Sequence, residues 1–120
     1  MKKIILFLIL LITSSCSEPN QNNIANGNGD VKEFKMTAKQ FTFSPETIEV
    51  NKGDKVKLVV TSVDVPHGIS IPEYGINERL NPGQPITIEF VADKQGTFTA
   101  FCSVFCGSGH SSMKGKIIVK

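Results

Sequence analysis

Two thiols, an imidazole and a thioether fall within twelve residues of this chain, in the run Cys102-Ser103-Val104-Phe105-Cys106-Gly107-Ser108-Gly109-His110-Ser111-Ser112-Met113. Thiolate with thioether is a soft donor set, which favours copper over the hard cations; Zn²⁺ would accept the thiolates and imidazoles but gains little from a thioether. The glycines let the backbone fold tightly enough to bring the four side chains together. A methionine by itself usually fills a gap in a core. Met113 instead stands three residues after His110 in a loop rich in Gly and Ser, and reads as a ligand. Upstream, in Ser62-Val63-Asp64-Val65-Pro66-His67-Gly68, lies the other of the two histidines. A lone histidine is more often structural than a ligand, but beside the cysteine loop His67 reads as a further ligand.

Two other chemistries could use the same residues. A Cys102–Cys106 disulfide is compatible with an oxidising compartment, although so short a closed loop constrains the unfolded chain little. A Cys–His nucleophile pair is the weaker alternative, because no substrate pocket is legible and two thiols more readily bind metal.

The elements that must position these groups read as strands. Phe34, Met36 and Ala38 alternate with Lys35 and Thr37, Val56, Leu58 and Val60 with lysines, and Ile86, Ile88 and Phe90 with Thr87 and Glu89. Phe98, Ala100 and Cys102 share one face, and Lys116 to Lys120 carries Ile117 and Val119 on one side. This period of two is punctuated by Asn51-Lys52-Gly53-Asp54, Asn81-Pro82-Gly83 and Asp93-Lys94-Gln95-Gly96, all turn-forming. Seven or eight short strands in about ninety residues, with no strong amphipathic helix, predict an all-β, two-sheet Greek-key β-sandwich. His67 is expected at the end of the strand that starts near Lys55, where a sandwich would bring it beside the cysteine loop. Phe101 and Phe105 are expected either to exclude water from the site or to join the core.

The whole chain has 120 residues, with thirteen Lys+Arg against eleven Asp+Glu, 40% hydrophobic and 20% charged residues. That holds one domain of modest core, which excludes multidomain enzymes and solenoid repeats. So balanced a charge gives no signal for nucleic acid, and no helix-turn-helix, zinc-finger or RNP pattern replaces it. Three cysteines cannot all pair within the chain, so at least one has another role.

The leader accounts for one. Met1-Lys2-Lys3, an unbroken apolar run of nine from Ile4 to Ile12, and Thr13-Ser14-Ser15-Cys16 have the order of a secretory signal peptide. Its end resembles a bacterial lipobox, with Thr13 in place of the usual Leu. Residues 1–15 are therefore expected to be a lipoprotein signal peptide, with Cys16 acylated and anchoring the protein to a membrane outside the cytoplasm. Residues 16–30, with five Asn and two Gly, are expected to be a flexible tether, and residues 31–120 the working domain. Two of the thirteen basic residues, Lys2 and Lys3, belong to the leader, which leaves eleven against eleven. Docking to a partner would then depend on local patches.

His67 together with Cys102-x3-Cys106-x3-His110-x2-Met113 resembles the binuclear copper (CuA) domain of cytochrome c oxidase subunit II, on the cupredoxin fold. The resemblance runs from about Glu33 to Lys120 and includes Gly53-Asp54, Asp64-x-x-His67, Ile71-Pro72 with Tyr74-Gly75, Pro82-Gly83 and Gly115-Lys116-Ile117-Ile118-Val119. Mononuclear blue copper sites use one cysteine, so the second separates the two classes. The resemblance implies two copper ions bridged by Cys102 and Cys106, each bound by one of His67 and His110. Met113 would be a weak ligand to one ion and the backbone carbonyl of Val104 a weak ligand to the other. Family members usually carry Glu where Val104 stands. A carbonyl ligand is indifferent to its side chain, but the neighbouring magnesium site of the family uses that carboxylate; the shorter subunits similar to those of ba3 oxidases also lack it. A single leader in place of a retained membrane helix is a second departure.

The function implied is one-electron transfer by a carrier that is not itself an enzyme. Its partners would be a redox protein such as cytochrome c and an oxidase subunit I. With no tryptophan in the chain, the aromatic electron-acceptance site of some relatives has no counterpart. The alternative is an extracytoplasmic copper chaperone or storage protein holding Cu(I) through the same ligands.

Overall fold

The computed structural model describes residues 31–120; the expected leader, Cys16 and the tether lie outside the described residues. Nine strands follow one another: β1 Val31–Lys39, β2 Thr42–Ser44, β3 Thr47–Val50, β4 Lys55–Ser62, β5 His67–Ile71, β6 Ile76–Leu80, β7 Ile86–Val91, β8 Gly96–Phe101 and β9 Lys114–Val119. They form a four-stranded sheet in the order β2-β1-β4-β7 and a five-stranded sheet in the order β3-β9-β8-β5-β6. Both sheets are mixed, since β1 runs parallel to β4 and β3 parallel to β9, while the remaining pairs are antiparallel. The count is above the seven or eight expected because β2 and β3, of three and four residues, are separate short strands on either side of Pro45-Glu46. Peptide bonds Gln40–Phe41 and Ser44–Pro45 are cis.

Alternation along β4 explains why these residues form a sandwich. Val56, Leu58 and Val60 are buried and the residues between them are half-exposed. Met36 and Ala38 of β1, Ile88 of β7, Ile69 and Ile71 of β5, and Ile117 and Val119 of β9 join them in one apolar cluster. Each leucine or isoleucine buried in this way stabilises the fold by about 1.5–3 kcal/mol relative to exposure. At the turn before β4, Gly53 adopts φ +93°, the Asp54 N–H donates to the Asn51 carbonyl at 3.0 Å, and the Asn51 N–H donates to the Asp54 carboxylate at 2.8 Å. That reciprocal pair satisfies a buried carboxylate and ends the turn.

His67 does not end β4, as the sequence suggested, but opens β5 in the opposite sheet. Pro66 cannot donate to a ladder, and the chain changes sheets between Ser62 and His67. The bend is closed by the Ser62 hydroxyl donating to the Val65 carbonyl. Beside β5 in the same sheet lies β8, and β8 and β9 pair in register from Gly96↔Val119 to Phe101↔Lys114. The next rung is the Cys102 N–H donating to the Met113 carbonyl at 3.1 Å, so the cysteine loop is a closed excursion between two paired strands.

Candidate metal centre

Cys102 leaves β8 and Met113 enters β9, and both side chains point into the sandwich, Cys102 4% and Met113 0% exposed. A one-turn 3₁₀ helix over His110–Ser112 reverses the chain between them. The Met113 N–H donates to the His110 carbonyl at 3.2 Å, and the His110 N–H to the Gly107 carbonyl at 3.2 Å. These bonds fold His110 and Met113 back over Cys106.

Each sulfur has its own imidazole. The Cys102 and Cys106 Sγ atoms are 3.7 Å apart. His67 Nδ1 lies 3.9 Å from Cys102 Sγ, and His110 Nδ1 lies 3.8 Å from Cys106 Sγ. Two outer donors adjoin the sulfurs, the Val104 carbonyl oxygen 3.1 Å from Cys102 Sγ and Met113 Sδ 3.9 Å from Cys106 Sγ. All six residues singled out from the sequence are thus brought together, and the donor atoms of His67, Cys102 and Cys106 lie within 4.8 Å of one another. The cysteines are free thiols rather than a disulfide.

Burial and charge set the chemistry of the thiols. Burial, with the adjacent Cys102 thiol adding to it, pushes the Cys106 thiol up to about 11. Such a thiol stays protonated at neutral pH unless a cation displaces the proton, which makes Cys106 a poor free nucleophile. Two thiols, two imidazoles, a thioether and a carbonyl in one largely buried cluster form the soft, nitrogen-and-sulfur set that copper takes.

Three contributors were not legible as such in the sequence. Asp64 Oδ1 is 2.7 Å from His67 Nε2, which leaves Nδ1 as the ring atom that faces Cys102. Burial raises the Asp64 carboxyl, but the N–H groups of Gln40 and Val65 and the His67 ring outweigh it and hold the carboxyl below its usual range. The Gln40 side-chain amide donates to the Cys106 carbonyl at 2.7 Å. Gly68 lies directly under the loop: a Cβ there would fall 2.2 Å from Ser103 Oγ and 2.9 Å from the Val104 nitrogen. Only the Asp64-x-x-His67 spacing hinted at any of them.

Of the two places expected for the phenylalanines, the core is ruled out. Phe105 is 77% and Phe101 37% exposed, so neither belongs to the core. Phe105 leans on His110, with ring centroids 5.6 Å apart, in keeping with the other alternative, a shield over the site.

This arrangement of paired thiols on a two-sheet Greek-key sandwich defines the class. The profile of the cupredoxin-like domain matches residues 3–119, and the chain belongs to that family. Within it, the chain is homologous to cytochrome c oxidase subunit 2 of Thermus thermophilus, with 31% identity over 104 residues that cover 87% of this chain and 76% of the relative. It is also 33% identical over 107 residues to nitrous-oxide reductase of Ralstonia nicotianae, covering 86% of this chain but only 16% of that enzyme. Among solved structures, a chain of a heme-copper terminal oxidase dimer superposes with a TM-score of 0.68 at 32% identity, over 74% of this chain and 65% of that one. The protein is a cupredoxin-type copper-binding domain related to oxidase subunit II. No helix among the described residues is long and apolar enough to cross a membrane.

Proposed function

We propose that the cluster holds two copper ions bridged by the thiolates of Cys102 and Cys106, and that the protein passes single electrons. The observation that carries this reading is the duplication of the donor set: two sulfurs 3.7 Å apart, each with its own imidazole nitrogen at 3.9 or 3.8 Å. His67 and His110 would each serve one ion, with Met113 a weak ligand to one and the Val104 carbonyl a weak ligand to the other. A sulfur-bridged copper pair supplies a one-electron couple whose charge change is shared between two ions.

The chain's part is to hold the donors still and dry. Asp64 fixes the His67 ring, and the 3₁₀ turn fixes His110 and Met113, so little needs to move when the charge changes. His67, Cys102, Cys106 and Met113 are buried, while His110 is half-exposed beside Phe105. A redox partner would therefore exchange electrons on the His110 side. Such a partner is a cytochrome c or an oxidase subunit I, in keeping with those relatives that are subunits of cytochrome c oxidase.

The leader pattern supports an extracytoplasmic protein held to a bacterial membrane through acylated Cys16. The competing reading, a Cu(I) chaperone or store, rests on the same soft donors. Copper content and colour separate the two. Copper-loaded protein is expected to be purple with two ions per chain, whereas a colourless protein with a single Cu(I) would contradict the carrier reading.

A further inference from the structure

The two-residue turn Gln40-Phe41 between β1 and β2, where Lys39 pairs with Thr42, touches both halves of the donor set. The Gln40 backbone N–H donates to Asp64 Oδ2 at 2.7 Å, and the other oxygen of that carboxylate meets His67 Nε2 at 2.7 Å. The Gln40 side-chain amide donates to the Cys106 carbonyl at 2.7 Å. Phe41 stacks against the same loop, so closely that a Cβ on Gly109 would fall 2.4 Å from its ring. His67 and the cysteine loop belong to different parts of the chain, and this turn, contributed by the opposite sheet, is hydrogen-bonded directly to the loop and through Asp64 to His67.

We infer that Gln40 is a positioning residue that ties the orientation of the His67 ring to the placement of the Cys106 peptide, and so sets the separation between the two halves of the centre. The inference rests on the binuclear reading above for its copper consequences, but the contacts themselves need no metal. Gln40 supplies two different donors in two directions. The main-chain bond survives any substitution that leaves the turn in place, whereas the bond to Cys106 depends on the carboxamide. Removing only the carboxamide therefore releases the cysteine side of the strap and keeps the histidine side. A side chain of the same length that donates nothing tests this, and one that presents an anion to the Cys106 carbonyl should act more strongly, because two acceptors then face each other.

The experiment compares wild type, Gln40→Met and Gln40→Glu as full mature domains. In copper-free protein, the backbone amide resonances of Gly107 and Ser108 should shift in both variants while those of β7 stay in place. In copper-loaded protein, transfer of Cu(I) to a chromophoric chelator should quicken several-fold in Gln40→Met and further in Gln40→Glu, with a displaced visible spectrum and an unchanged far-ultraviolet circular dichroism. A wild type with two coppers whose release rate and spectrum are matched by Gln40→Met overturns the positioning role. Unmoved Gly107 and Ser108 resonances overturn it in the metal-free protein as well. A wild type that takes up a single copper overturns the binuclear reading, and is told apart from failure of the strap by that stoichiometry.

Discussion

Asp64 Oδ1 lies 2.7 Å from His67 Nε2, on the side of the ring away from Cys102. The contact fixes which imidazole nitrogen is available to the thiol pair. His67 is fully buried, and without the carboxylate its Nε2 would lose its one hydrogen-bond partner among the described residues and the ring its fixed orientation.

Asp64→Ala should therefore weaken copper retention by about 10–100-fold, the usual cost of losing an outer partner of a ligating histidine. Asp64→Asn, which can still accept through its carbonyl oxygen, should lose less. Competition against a Cu(I) chelator measures both, and equal affinity of Asp64→Ala and wild type would show that the carboxylate does not position the ring.

Gly68 should tolerate no side chain. A methyl group 2.2 Å from Ser103 Oγ and 2.9 Å from the Val104 nitrogen forces the loop away from β5, and overpacking of this kind costs about 1–3 kcal/mol. Gly68→Ala is expected to melt several degrees lower and to show a perturbed copper spectrum, because the displaced atoms adjoin the Val104 carbonyl. Thermal unfolding of the copper-free form separates the packing cost from the loss of metal.

Base should destabilise the copper-free form and spare the copper-loaded one. The Cys106 thiol is raised from 9.0 to about 11, so the fold holds that proton more tightly than the unfolded chain. The resulting stability is fully present below the unfolded value and is lost as pH rises towards 11. Copper-free protein should therefore lose melting temperature across that window, and copper-loaded protein, with no thiol proton to release, should not. Apparent Cu(I) affinity should climb by about tenfold per pH unit for each proton displaced.

Val104 is expected to contribute through its backbone alone, since its carbonyl oxygen is the atom 3.1 Å from Cys102 Sγ. Val104→Glu should leave the copper spectrum nearly intact, which absorption spectroscopy checks directly. Collapse of the spectrum would assign a role to the side chain instead.

The parts legible in the sequence were those with local signatures. β1, β4, β7 and the end of β9 alternate because each has one face on the core, and all six donor residues lie in a compact motif plus one histidine. β5 escaped because every one of its five residues is buried, which erases a period of two. That same burial on both faces, core on one side and cysteine loop on the other, is why His67 belongs to β5 rather than to the end of β4. Gln40 was invisible for another reason: its partners stand 24 and 66 residues away, and nothing in a polar turn residue announces such contacts. Phe101 and Phe105 were legible only as two alternatives, and exposure decides against the core: strand alternation turns Phe101 outward, and Phe105, 77% exposed, packs on His110.

The central claim is tested most directly by electron paramagnetic resonance of the oxidised, copper-loaded protein. A centre bridged by Cys102 and Cys106 predicts one unpaired electron with hyperfine coupling to two copper nuclei, abolished in Cys106→Ser. A spectrum split by a single copper nucleus, or a two-copper pattern that survives Cys106→Ser, would contradict it.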